Sequence, residues 1–194
     1  MTTAEKLNLI EPRIKDKEFL EKVRGGHIIP FYILDYDPQD EYMAREHVLN
    51  LQDKVNKENG DIRIKVIDLY GLLLECLKEK GFLDKALKAE EAKGTEKLFE
   101  AIKNTLQLKK ETNVYIDKIA EDIQPEDVVF LTGVGKVYPI VRTHKVLSNL
   151  RPLLKRNPLI VMYPGTYINN ELSLFGEIDR DYYQAFKLIL EGDN

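Results

Sequence analysis

Four short apolar runs constrain this chain more than any other feature: "FYILDY", "IRIKVID", "VVFLT" and "PLIVMY". The first, third and fourth stop at turn formers, Asp37-Pro38, Gly133 and Pro164-Gly165, and the second follows the Asn59-Gly60 turn. Runs of this length suit strands, and apolar residues at successive positions mean that both faces of the strand are covered. Segments with apolar residues at helical spacing separate them. Such alternation predicts an α/β fold, a mainly parallel sheet flanked by helices. With 194 residues, 43% of them hydrophobic, the chain can bury one sizeable core, so a single domain over 1–194 is expected.

The helical segments can be placed individually. In "DKEFLEKVRGG", Phe19, Leu20 and Val23 share a face and the paired glycines stop the helix. After the first strand, Asp37 is suited to accept from first-turn N–H groups, and Pro38 fits the first helical position because its missing donor is not needed there. Ala44, Val48, Leu51 and Val55 then mark the buried face. Between the second and third strands lies a Leu, Glu, Lys and Ala-rich stretch, broken into amphipathic blocks by Gly81 and Gly94, which predicts a helical insertion over about 72–124. Ile140, His144, Leu147 and Leu150 mark the helix before the fourth strand. "LSLFGEI" is expected to add an edge strand, and "YYQAFKLILEG" to close the chain as a helix.

A net charge of −4 argues against a general nucleic-acid coat, because nonspecific affinity for phosphate comes from clustered Lys and Arg. Cys76 is the only cysteine and sits among leucines, where a buried hydrophobe is expected and an internal disulfide is impossible. No apolar run approaches the roughly 18 residues of a membrane span, and the N-terminal residues do not follow a signal pattern. A cytoplasmic protein is the expectation.

Ligands of open α/β sheets bind beyond the carboxyl ends of the strands, which directs attention to the loops after Leu34, Leu131 and Met162. The first loop, "DYDPQDE", carries Asp35, Asp37, Asp40 and Glu41. Unit charges about 4 Å apart at an effective dielectric near 20 interact by roughly 4 kcal/mol. Attraction of an anion to a helix terminus, about 0.3–1 kcal/mol, does not offset such repulsion. That loop reads as a capped helix start or, alternatively, as a carboxylate pair for a metal. In the second loop, Gly133, Gly135 and Lys136 suggest a phosphate cradle, but the glycine spacing, the missing Ser or Thr after the lysine and Pro139 all depart from the nucleotide-binding pattern. The loop reads as a turn. The outline is therefore Rossmann-like or P-loop-like without a Walker A motif.

Arg142, Lys145, Arg151, Lys155 and Arg156 gather downstream. They form either a solvated helix face, a surface for an acidic protein, or a site for DNA phosphate. His144 is expected to be a hydrogen-bonded core residue, and His27 and His47 have no companions at metal-ligand spacing. No nucleophile elbow is present. Tyr163 and Tyr167 in "MYPGTY", with Tyr182 and Tyr183 in "DRDYYQAF", could line a contact surface, since tyrosine combines apolar area with a polar tip, or could pack inside.

Six segments, "FYILDYDP", "IDLYGLLLE", "VVFLTGVGKVYPIVRTHKVLSNL", "PLIVMYPGTY", "LSLFGEI" and "DYYQAFKL", in this order, resemble the BrxB family of bacterial BREX phage-exclusion systems over residues 19–190. The resemblance implies a cytoplasmic component of a defence system that blocks phage propagation and methylates host DNA. It also implies three neighbours: PglZ, of alkaline-phosphatase-like class, a DNA methyltransferase and a large ATPase. It brings no catalytic residues and no cofactor. The expectation is a non-enzymatic adaptor that binds PglZ through Asp35, Asp37, Lys136, Tyr138, Arg142, Lys145, Tyr163, Tyr167, Tyr182 and Tyr183. The alternatives are a divergent nucleotide-binding enzyme using the 133–136 loop and an accessory DNA-binding subunit.

Overall fold

A computed structural model of the chain describes residues 1–26, 31–58, 60–121, 123–154, 156–169, 171–174, 177–179, 185–190 and 192. Three short helices open it: α1 (Thr3–Asn8), α2 (Ile10–Lys15) and α3 (Lys17–Arg24). Then come β1 (Phe31–Tyr36), a 3-10 turn at Pro38–Asp40 and α4 (Glu41–Lys57). Next are β2 (Arg63–Asp68) and the insertion helices α5 (Leu69–Glu79), α6 (Leu83–Lys93), α7 (Thr95–Thr105) and α8 (Val114–Ala120). The chain continues through β3 (Asp127–Thr132), α9 (Val134–Val137), α10 (Thr143–Leu150) and β4 (Leu159–Pro164). Last are β5 (Thr166–Ile168), β6 (Glu171–Leu174), β7 (Glu177–Asp179) and β8 (Phe186–Lys187).

The five strands of the main sheet lie in the order β2-β3-β4-β1-β8, and every adjacent pair is parallel. Alternation along the strands divides the apolar residues between two cores. Phe31 and Ile33 of β1, with Val129, Leu131, Leu159 and Val161, face α5 and α7–α10. Tyr32 and Leu34, with Val128, Phe130, Ile160 and Met162, face α1–α4. A period of two on a fully covered sheet requires this split. The expected positions on α4 and α3 are buried, and Gly81 and Gly94, both at positive φ, separate the insertion helices as their place in the sequence predicts. Cys76 is buried in the first core, and burial pushes its thiol pKa up.

Two expectations are corrected. "LSLFGEI" does not add to the main sheet: β6 and β7 form a separate antiparallel sheet with β5. The closing segment is not helical over its described part, 185–190. Tyr32 and Ile33 of β1 pair with Phe186 and Lys187, and the Leu188 amide donates to the Ile33 carbonyl at 2.9 Å. Without that partner β1 would leave a buried strand edge unsatisfied, so pairing overrides helical spacing. Residues 181–184 of the same segment, including Tyr182 and Tyr183, and also His27 and Lys155, lie outside the described residues.

Two polar arrangements fix the ends and the edge of the sheet. At the amino ends, Arg63 donates from Nε and a terminal nitrogen to the two carboxylate oxygens of Asp127 at 2.5 and 2.8 Å, pairing β2 with β3 in register. Asp127 is wholly buried and also accepts from the Gln124 amide at 2.8 Å. At the outer edge, the Asn56 side chain accepts from the Ile64 N–H at 2.7 Å and donates to the Ile64 carbonyl at 2.9 Å, with Gln52 donating to the same carbonyl at 3.1 Å.

Removing Arg63, whose side chain is 42% exposed, leaves the wholly buried Asp127 carboxylate without its cation. Arg63→Ala is therefore expected to destabilise the protein by about 1–2 kcal/mol, less than a fully buried pair would lose, because water screens the Arg63 side and the Gln124 amide still donates to Asp127. Urea unfolding followed by circular dichroism reads this as a lowered midpoint, and an unchanged midpoint would show that the pair contributes nothing.

Candidate functional site

The strand order locates the place where a fold of this kind holds a ligand. From β1 the chain crosses over β4 and β3 to β2 at the far edge, and from there steps back through β3 to β4. From β4 it passes β1 to reach β8 on the other side. The connections leaving β1 and β4 therefore run in opposite directions, and the crevice between their carboxyl ends is the topological switch point.

The chain itself fills that crevice. Asp35, paired in register with Tyr163, is buried, and its carboxylate accepts from Lys6 Nζ at 2.6 Å and from the Tyr167 backbone N–H at 3.1 Å. Lys187 Nζ lies 3.7 Å away, and Lys6 also donates to the Asp35 carbonyl at 2.8 Å. The Tyr167 ring is buried and its hydroxyl donates to the Ala185 carbonyl at 2.7 Å. Gly165 donates to the Tyr36 carbonyl at 2.9 Å, joining the loop after β4 to the end of β1. A side chain at Gly165 would overlap the Ser173 carbonyl, so only glycine allows this approach.

Burial pushes the Asp35 carboxyl pKa up, but the hydrogen bonds from Lys6 and the Tyr167 amide and the charges of Lys6 and Lys187 outweigh it, leaving the group below the ordinary Asp value. Beside it, Tyr36 donates from its hydroxyl to Glu41 at 2.5 Å, and burial pushes the phenol far up.

Next along the strand ends, Gly133 adopts a left-handed conformation at φ 74° and starts the four-residue helix α9, which ends at Val137 ahead of Pro139. Here the turn packs against the end of β2. A Cβ at Gly133 would collide with the Asp68 carboxylate, which caps α5 by accepting from the Tyr70 amide at 3.1 Å. Lys136 Nζ stands 4.0 Å from the same carboxylate. The lysine of the suspected cradle thus faces an acid of its own chain.

The ten sequence-derived residues are therefore distributed unevenly. Asp35, Tyr163 and Tyr167 are buried at the switch point. Asp37 is exposed and caps the 3-10 turn by accepting from the Gln39 amide at 2.9 Å. Lys136 is exposed, and Tyr138 is half-buried against the first core. Arg142 and Lys145 are exposed at the start of α10, away from the Asp35 cluster. Lys6, Asp68 and Lys187 belong to the strand-end clusters, and sequence reading did not single them out. For Asp68 a signal existed, an acid directly after an apolar run; for Lys6 and Lys187 only the tertiary pairing reveals the role. Among the described residues no group of three or more His, Cys, Asp or Glu could hold a metal ion, and no helix is long and apolar enough to cross a membrane.

Two outcomes follow from this geometry. A depressed carboxyl contributes stability that is present above the unfolded value of about 3.9 and is lost as pH falls through the lower folded value. Asp35→Asn is therefore expected to unfold at a lower temperature at pH 7, with the gap to the parent chain narrowing as the pH drops below about 4. A gap independent of pH would count against the ionic account. Gly133→Ala forces a left-handed alanine onto Asp68 and is expected to lose about 2 kcal/mol in urea unfolding; a loss under roughly 0.5 kcal/mol, the scale of ordinary surface changes, would refute it.

Comparison with known proteins agrees with this architecture's sequence signature. The family described as "BREX protein BrxB" matches residues 65–188. A BREX protein BrxB of Bacillus cereus (strain H3081.97) is 44% identical over 186 residues, covering 95% of this chain and 96% of that protein. A BREX protein BrxB of Escherichia coli O9:H4 (strain HS) is 31% identical over 185 residues, covering 95% and 90% respectively. No solved structure matches. Similarity of this extent, running from the first helices through the strand-end clusters, means that the chain belongs to the BrxB family of BREX proteins.

Proposed function

We propose that this chain serves its BREX phage-defence system as a non-enzymatic adaptor, holding other components together and binding the PglZ component most directly. The family supplies the system. One observation carries the molecular role: the switch-point crevice, where an enzyme of this outline would hold a nucleotide, is filled by Asp35, Lys6 and the Tyr167 backbone. Groups that neutralise one another add rigidity, and among the described residues the Asp35 carboxylate is already engaged and is not free for a substrate. What remains outward at this end is a surface. Asp37 and Lys136 there, and Arg142 and Lys145 at the start of α10, are exposed charges of both signs, suited to fixing the orientation of a protein partner. Tyr182 and Tyr183 are further candidates from sequence alone.

Co-purification of the chain with its cognate PglZ, followed by size-exclusion chromatography at micromolar concentration, tests the reading. One early-eluting peak containing both proteins is expected; two persistent separate peaks would remove PglZ as the partner. Calorimetric titration with ATP or GTP and magnesium addresses the catalytic alternative. No saturable heat is expected, and binding that disappears in Lys136→Ala would reverse the conclusion.

A further inference from the structure

The insertion and α10 enclose a second concave feature, separate from the strand ends. A cleft of about 190 Å³ opens between the loop joining α7 to α8 and the segment leading into α10. Its floor is apolar, formed by Tyr115, Ile116, Ile140 and Val146. Two links make the walls rigid. The Tyr115 hydroxyl donates to the Leu69 carbonyl at 2.7 Å, fixing the ring. The Lys110 carbonyl accepts from Asn113 at 2.9 Å and from Asn149 of α10 at 3.3 Å, tying the loop to the helix.

The rim is cationic. Lys103, Lys109, Arg142 and Lys145 all line the cleft, and no acidic residue does. On the insertion side Lys103 and Lys109 share Glu100, at 3.1 and 3.4 Å. On the α10 side, Arg142 and Lys145 are exposed and make no ion pair among the described residues. They stand three residues apart, where helix N-cap and first turn bring side chains to the same side. In a chain of net charge −4, two adjacent unneutralised cations beside an apolar floor form a local inversion of sign.

Size and charge together select the occupant. Sites for cofactors and drug-sized molecules run to about 300–1,000 Å³, so this cleft is too small for a nucleotide. It suits one large apolar side chain of a partner, the kind of anchor that dominates protein interfaces. The flanking positions of that partner must answer Arg142 and Lys145. We propose that the cleft docks an acidic protein segment, a single Phe, Tyr or Leu anchor seated on Tyr115 and Ile140 with Asp or Glu on either side contacting Arg142 and Lys145. This rests on the adaptor reading and specifies the chemistry of one of its contacts. Nucleic acid fits less well, because a phosphate backbone would use the rim and leave the apolar floor empty.

Fluorescence polarisation with the full chain tests it, using labelled twelve-residue peptides of Asp, Glu and Ser around one central Phe, Tyr or Leu. Saturable binding by at least one peptide is expected. It should weaken roughly tenfold or more in the Arg142→Ala, Lys145→Ala double variant, and similarly when the anchor is replaced by Ser. Both substituted residues are exposed, and an unchanged thermal midpoint confirms that the variant is folded. Absence of binding by every peptide up to millimolar concentration overturns the proposal. Equal binding by the double variant, or indifference to the anchor, does so as well. Tighter binding of a single-stranded DNA, lost in the same variant while peptides fail, assigns the rim to nucleic acid and also overturns it. Because the assay contains no PglZ, its failure is distinct from failure of the adaptor reading. PglZ retained equally by parent and double variant removes the cleft alone, whereas peptide binding by a chain that never retains PglZ removes PglZ alone.

Discussion

The buried carboxylate of Asp35 is the interaction around which the rest of the molecule is arranged. A carboxylate taken out of water carries a large desolvation penalty unless cations and N–H groups surround it. Each group that answers this one comes from a different part of the chain: Lys6 from the first helix, the Tyr167 amide from the segment after β4, and Lys187 from the last strand. One charge at the carboxyl end of β1 thereby draws together segments more than 150 residues apart in sequence. The apolar faces would hold the sheet to its helices without it, but they specify less about where the two termini lie.

The same clasp explains why a sheet with the outline of a nucleotide-binding fold has a closed switch point. In such folds the crevice stays open because the loop after the first strand is rich in glycine and its N–H groups await phosphate. Here that loop is acidic, and Gly165, bonded to the Tyr36 carbonyl at the end of β1, packs closely against Ser173 of β6. Neighbouring Gly133 shows the same substitution of roles. Its left-handed turn makes room for the Asp68 carboxylate in place of an incoming anion, and Lys136 turns toward that carboxylate. Glycine and lysine at this strand end thus meet a carboxylate of the same chain, the glycine by close packing and the lysine across 4.0 Å at the surface.

Much of this was legible in the sequence because it depends on local periodicity. The four apolar runs, the helical spacing on α4, the Asp37-Pro38 start and the glycines dividing the insertion are all short-range patterns, and the structure follows each of them. The closing segment was not legible. "AFKLIL" carries apolar residues that satisfy a helical period, and only the need of β1 for a second hydrogen-bonded neighbour makes Phe186 and Lys187 extended. The candidate site divides along the same line. Asp37 and Lys136 could be named from turn chemistry, whereas the engagement of Asp35 by Lys6 is a contact across 29 positions without a sequence signal. Tyr163 and Tyr167 were readable as amphipathic but not as buried, because the strand and turn around them are covered by residues from elsewhere.

The amide of Asn56, bonded to both backbone groups of Ile64, limits how this molecule can be approached from its β2 side. An extended peptide that tried to lengthen the sheet there would find the first donor and acceptor already taken by a side chain that imitates a strand. Recruitment by strand addition is therefore disfavoured at this margin, which also shields it from stacking against other copies. At Ile64, then, contour and side chains are what the β2 margin offers to another protein.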